Sequence, residues 1–130
     1  MKRKPSRIEP KERQIQAAIC AALKLMLPGD ARCYAIPGGD RGVTLTPGYV
    51  AGTPDLLVIH HGRALFLEVK REGEYLRPEQ REQHNIISEC GCNVAVVRSI
   101  EDAAEFLGAC GVPLAGATGL PKTISKARAA

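Results

Sequence analysis

A chain of 130 residues, 45% apolar and 25% charged, has the size and composition of one globular domain that folds without disulfides or a structural metal. No apolar run reaches the roughly 18 residues of a membrane span, and the basic start Met1-Lys-Arg-Lys-Pro5 lacks the apolar stretch of a secretory signal, so a cytoplasmic protein is expected. The net charge of +4 gathers at Lys2, Arg3, Lys4, Arg7, Lys11 and Arg13, and again at Lys122, Lys126 and Arg128. That placement suits a polyanion such as nucleic acid, and equally a pair of solvated ends.

Residues 1–9 read as a flexible basic arm. From Pro10 to Leu27 the apolar positions Ile15, Ile19, Ala22 and Met26 recur at helical spacing, with Pro10 suited to a first turn and Pro28-Gly29 as the stop. Arg32–Ile36 reads as a short strand. Residues 37–53 then form a long loop holding Gly38, Gly39, Gly42, Gly48 and Gly52; a loop of that length in a compact domain belongs to function, and substrate contact is expected of it. Two apolar runs, Leu56–Ile59 and Ala64–Leu67, flank His60-His-Gly-Arg63 and read as a β-hairpin, the histidines forming its turn rather than acting as bases. Apolar residues on both faces of both runs predict central strands covered on both sides. Pro78–Cys90 follows as a second helix stopped by Gly91, then Asn93–Val97 as a buried strand parallel to the one before the helix. Ser99, with Asp102 three residues on, caps a third helix running to about Leu107. From residue 108 to 130 the sequence turns to Gly, Ala, Pro and Lys and reads as a basic, flexible tail.

The five cysteines, Cys20, Cys33, Cys90, Cys92 and Cys110, form no CxxC pair and stand by no histidine ligand pattern. They read as reduced thiols in a reducing compartment, and no zinc site is expected.

The chemistry gathers at one end of the hairpin. With His61-Gly62 as the turn, His60 faces Arg63, and the same register sets Asp55 directly opposite Glu68, Cβ atoms about 5 Å apart. Lys70, two residues beyond Glu68, points to the same side. A three-residue turn would shift the register and undo this. Facing carboxylates inside an apolar sheet repel, and burying either costs several kcal/mol without compensation. A divalent cation removes the conflict, and oxygen-only ligands favour Mg²⁺ or Mn²⁺. Lys70 would add a positive charge beside a reacting phosphate, so that the group suits metal-assisted phosphodiester hydrolysis. The plainer alternative is an Asp that caps a strand and a Glu–Lys pair on an exposed edge.

Gly52-Thr-Pro-Asp55, twelve intervening residues and Glu68-Val-Lys70 resemble the PD-(D/E)XK nuclease signature. Glu12 and Gln16 on the first helix, the Gly-rich loop, Leu76-Arg-Pro-Glu-Gln80 and Gly91-Cys-Asn-Val-Ala-Val-Val97 make residues 9–107 similar to the VRR-NUC family, the virus-type replication and repair nucleases. The resemblance implies a restriction-endonuclease-like α/β core, α-β-β-β-α-β-α around a mixed sheet, over residues 10–107. It implies that Asp55 and Glu68, with the Val69 carbonyl and Glu12, hold the metal, that Lys70 is catalytic, and that Gln80 lies beside the lysine. For Glu12 the alternative is a solvated residue of a charged first turn, and Gln80 by itself is a helix-surface residue.

Arg41, Arg71, Arg77 and Arg81 are candidate phosphate contacts, or in part solvated charges. With three Tyr, two Phe and no Trp, base stacking is not the expected recognition mode. Larger members of the family append domains and cut flaps. Stand-alone viral or bacterial members resemble Holliday junction resolvases that act as homodimers, and 130 residues leave no room for an accessory domain. The expectation is an Mg²⁺- or Mn²⁺-dependent endodeoxyribonuclease acting on branched DNA as a homodimer, in a bacterial or phage-infected cytoplasm, with no organic cofactor. The alternatives are a flap or duplex nuclease, a DNA-binding module without turnover, and an interaction domain whose acidic pair is structural.

Overall fold

The computed structural model describes residues 11–37 and 47–116. The basic arm, Arg41 with most of the Gly-rich loop, and the segment 117–130 lie outside the described residues.

Among the described residues, three helices and four strands appear in the expected order: α1 (Glu12–Met26), β1 (Ala31–Ala35), β2 (Leu56–His60), β3 (Arg63–Val69), α2 (Pro78–Glu89), β4 (Asn93–Val97) and α3 (Ile100–Ala109). The sheet runs β1-β2-β3-β4. Its first three strands are antiparallel neighbours, and β4 pairs parallel with β3. The hairpin turn has two residues, His61 at φ 51° and Gly62 at φ 77°. Two consecutive left-handed residues match the right-handed twist of the flanking strands. The register follows: His60 faces Arg63 and Leu56 faces Leu67, so Asp55 and Glu68 are next in line on the opposite face.

The core occupies one side of the sheet. Leu56, Val58, Leu65, Leu67, Val69 and Val97 meet Ile19 and Leu23 of α1 and Ala103 and Leu107 of α3. The buried residues of α1 are Ile19 and Leu23, with Ile15 and the C-cap Leu27 partly buried against the core on the same i, i+4 row, a stripe rotated from the expected Ala22 and Met26. Cys110 and Val112 join the core, Leu114 packs against it, and the Ala115 amide donates to the Met26 carbonyl at 2.8 Å. The packed domain thus runs past Leu107, where the shift to small residues had suggested a tail.

The other side of the sheet is not covered along its length, contrary to the expectation from the apolar runs. It carries Leu57, Ile59 and Phe66, and α2 meets it at the Glu68 end. Ile59 and Tyr34 on the uncovered part are 42% and 53% exposed. The five cysteines are free thiols, Cys20 and Cys33 hydrogen-bonded to one another. Among the described residues no helix is long and apolar enough to cross a membrane.

Candidate active site

Glu68 and Lys70, the candidate site residues of this strand and its end, lie on the face of β3 opposite the core. Alternation along a strand sends Leu65, Leu67 and Val69 inward and Phe66 and Glu68 outward, with Lys70 continuing the same side. That side is closed at this end by α2. Glu68 is 2% exposed and Lys70 3%, which is uncommon for ionisable side chains unless something answers their charge.

Asp55 is fixed from both ends. Its carbonyl accepts from the Ile36 amide at 2.8 Å, and its Oδ2 accepts from the Val69 amide at 2.8 Å. The side chain thereby points across the hairpin, and its carboxyl group hydrogen-bonds that of Glu68. Two carboxyl groups can share such a bond only if one holds a proton. Burial first, and the Asp55 charge second, push Glu68 up to about 9, so Glu68 holds that proton at neutral pH when no cation is present.

Two side chains of α2 meet Glu68. Gln80, 7% exposed, donates from Nε2 to Glu68 Oε2 at 3.3 Å, while its Oε1 accepts from the Arg77 amide at 2.9 Å. The same side chain thus caps the first turn of α2 and orients the acid. His84, one helical turn on, lies 3.2 Å from Glu68 Oε1 through Nε2, and burial followed by the Lys70 charge lowers its pKa. The sequence reading passed over His84. Its i+4 spacing from Gln80 on an otherwise polar helix was the available signal.

Glu12, in the first turn of α1, reaches the site from the side. Its Oε2 is 3.9 Å from Lys70 Nζ. Burial, then a hydrogen bond with Glu74, holds it up to about 7. Glu74 is set by its loop: the Arg71 amide donates to its side chain, and Arg98 donates to the Arg71 and Glu74 carbonyls.

Arg71, Arg77 and Arg81 line the rim. Arg71 and Arg77 pair with Glu74 and Glu79 at 3.5 and 3.1 Å, and Arg81 donates to the Leu76 carbonyl. Such surface pairs are worth 1 kcal/mol or less, so a phosphate can displace them.

The backbone holds the two halves together at Gly52. There φ is +91°, and a Cβ would stand 2.2 Å from the Glu79 carbonyl oxygen. Only glycine lets the loop before Asp55 lie flat on the first turn of α2.

Three carboxyl groups, those of Asp55, Glu12 and Glu68, the last awaiting deprotonation, form an oxygen-only donor set beside one buried lysine, with excess negative charge once ionised. That set fits a hard divalent cation. Among solved structures, the chain is similar to one described as a VRR_NUC domain, at 26% identity and a TM-score of 0.56 over 74% of this chain and 92% of that one. A second, described as a VRR_NUC domain protein, aligns at 16% identity and a TM-score of 0.54 over 77% and 90%. No family model and no curated protein matches the chain.

Proposed function

Because this chain is similar to solved VRR_NUC domain structures, we propose that it is a VRR-NUC nuclease domain that hydrolyses DNA phosphodiester bonds with a divalent cation, Mg²⁺ or Mn²⁺. The carrying observation is half-buried Asp55 set opposite buried Glu68, with buried Lys70 on the same side of the sheet. Asp55, Glu68 and the Val69 carbonyl would hold the cation, and Glu12 would complete the shell from α1. When bound, the cation supplies Lewis-acid activation of the phosphate. The protein's own part is positioning and charge. Gln80 holds Glu68 in one orientation. Lys70 Nζ sets a positive charge beside the phosphate oxygen that gains charge as water attacks phosphorus, and it can hold that water by hydrogen bond. Water adds to phosphorus, the ester P–O bond breaks, and the leaving oxygen takes a proton.

Supercoiled plasmid should be nicked with Mn²⁺ and left intact with EDTA, and Asp55→Ala and Lys70→Ala should each remove the nicking while the circular dichroism of the fold persists. Full activity in Lys70→Ala would defeat the assignment.

The substrate class that fits best is branched DNA, in particular a four-way junction cut by a homodimer. One chain offers one such centre, whereas resolving a junction takes two cuts on opposing strands, and a two-fold dimer has the symmetry of the junction. α3 spends its apolar face inside the domain on Ala103, Ala104 and Leu107, so it is a poor dimer surface. A panel of junction, flap, splayed and duplex DNA tests the substrate, and sedimentation of the free protein tests the assembly. In mixed dimers of wild type with Asp55→Ala, paired cuts should give way to single nicks. A strict monomer that trims flaps as readily as junctions would defeat this part and leave the nuclease standing.

Rim arginines that meet phosphates should make binding strongly salt-dependent and indifferent to base sequence. Replacing Arg71, Arg77 or Arg81 by Gln should each reduce the slope of log K against log[salt] by about 1. An unchanged slope in all three would mean that they are only solvated.

A further inference from the structure

At the opposite end of the hairpin, about 17 Å along the strand from Asp55 at roughly 3.3 Å per residue, Asp30, His60 and His61 come together. Nothing in the sequence links Asp30 to the histidines. The link is the β1–β2 register, in which Ala31 faces His60 and brings the preceding Asp30 over the turn. His61 Nε2 lies 2.6 Å from Asp30 Oδ2, and His60 Nε2 lies 3.5 Å from Asp30 Oδ1. The left-handed backbone at His61 folds its ring onto that of His60, centroids 3.9 Å apart. One ligand atom from each residue falls within 4.8 Å of the other two.

The unusual member is His60. It is 2% exposed, and its Nε2 has no hydrogen-bond partner. A buried ring nitrogen left unpaired is costly, and this one lies 3.5 Å from the Asp30 carboxylate, with the second imidazole stacked alongside. We propose that Asp30, His60 and His61 form a second cation site, taking an imidazole-preferring transition metal of the Zn²⁺ class and separate from the hard-cation site at Asp55 and Glu68.

The geometry and the donors agree with that class. Metal–nitrogen bonds of about 2.0–2.1 Å in a tetrahedron place ligand atoms roughly 3.3 Å apart, and the His60–Asp30 separation is 3.5 Å. Two imidazoles and one carboxylate favour Zn²⁺ or Ni²⁺ over Mg²⁺ and leave a fourth position open to water. His60 supplies the rigid ligand. His61 and Asp30, whose side chains are 64% and 56% exposed, rotate to complete the set. Arg63 reaches His60 Nδ1 only at 3.5 Å, the limit of a hydrogen bond. That contact lapses when Nδ1 carries the proton, the tautomer that frees Nε2 to ligate. The bound ion would tie the turn of the hairpin to the start of β1.

The test uses the full chain carrying Asp55→Asn and Glu68→Gln, so that the first site is silent. Titration calorimetry should find one Zn²⁺ per chain, thermal melting should move up by several degrees with Zn²⁺ but not with equal Mg²⁺, and Co²⁺ should give the visible absorption of an imidazole-ligated ion. Adding His61→Ala or Asp30→Asn should weaken Zn²⁺ binding at least tenfold and remove the melting shift. Both are surface changes that leave the fold intact if His60→Ala does not. No Zn²⁺ binding in the silenced protein overturns the proposal. So does binding that survives His61→Ala and disappears in Cys90→Ser/Cys92→Ser, which would put the ion on the thiols.

Discussion

Glu68→Gln should lose cleavage by roughly a thousandfold or more, the scale on which a principal catalytic group is missed, and at the same time make the metal-free protein more stable. The two effects have one cause. Without a cation, the acid must keep a proton that water would otherwise take, since burial and the Asp55 charge hold it at about 9 against an ordinary 4.5. A group whose folded pKa is raised contributes stability that is complete below its unfolded pKa and drains away as pH climbs to the folded one. Metal-free wild type should therefore weaken between about pH 4.5 and 9, by a few kcal/mol at most. Glutamine cannot ionise, its single oxygen still accepts from Gln80, and its NH₂ group in place of the other oxygen can donate to a neighbouring acceptor, Asp55 or the unprotonated His84 ring nitrogen. Denaturant melts in EDTA should show a flatter pH profile for the variant over that window. The remaining slope belongs partly to Glu12 and ends near pH 7. Saturating Mg²⁺ or Mn²⁺ should reverse the order by raising the wild type alone. If melting ignores divalent ions in both proteins, the acidic pair is structural and the nuclease reading of these residues fails.

How much of this was legible beforehand depended on whether a residue's position is set locally. Asp55, Glu68 and Lys70 were placed by a two-residue turn and the period of two along a strand, which are short-range rules, and the register came out as those rules require. The capped start of α3 was local too: Ser99 accepts from the Asp102 amide at 3.0 Å. Gln80 was different. On a polar helix it reads as a surface residue, and its 7% exposure arises only when α2 docks over Glu68. His84 shares that history. The sheet's second face misled the reading for a related reason: apolar residues such as Ile59 imply a cover, yet α2 reaches only one end of that face, leaving Ile59 42% exposed. Asp30 lies furthest from sequence logic, since a strand pairing across thirty residues of chain is what delivers it to the histidines.

Gly52→Ala should be among the most damaging single-methyl changes in the protein, and Gly48→Ala supplies its control. Both glycines have nearly the same left-handed backbone, φ +91° and +92°, but a Cβ at Gly48 meets nothing within 4 Å, whereas one at Gly52 would stand 2.2 Å from the Glu79 carbonyl oxygen and 2.6 Å from its carbon. Backbone strain alone costs about 1–2 kcal/mol, and that is the whole expectation for Gly48→Ala. At Gly52 the obstacle is main chain in the first turn of a helix, which cannot rotate aside as a side chain would. Either the loop lifts away or α2 moves, at a further cost of about 1–3 kcal/mol. In a domain this small the two together should lower the melting temperature by roughly 10 °C or more. Activity should fall further than stability accounts for. The turn that must yield carries Gln80, whose amide is 3.3 Å from Glu68 Oε2, and the loop that must yield carries Asp55 three residues on. Cleavage measured well below the melting point, where the variant is fully folded, should still be at least tenfold slower than wild type, while Gly48→Ala keeps wild-type rates. Equal melting temperatures and equal rates for the two variants would show that the approach of the loop to α2 does not position the acids.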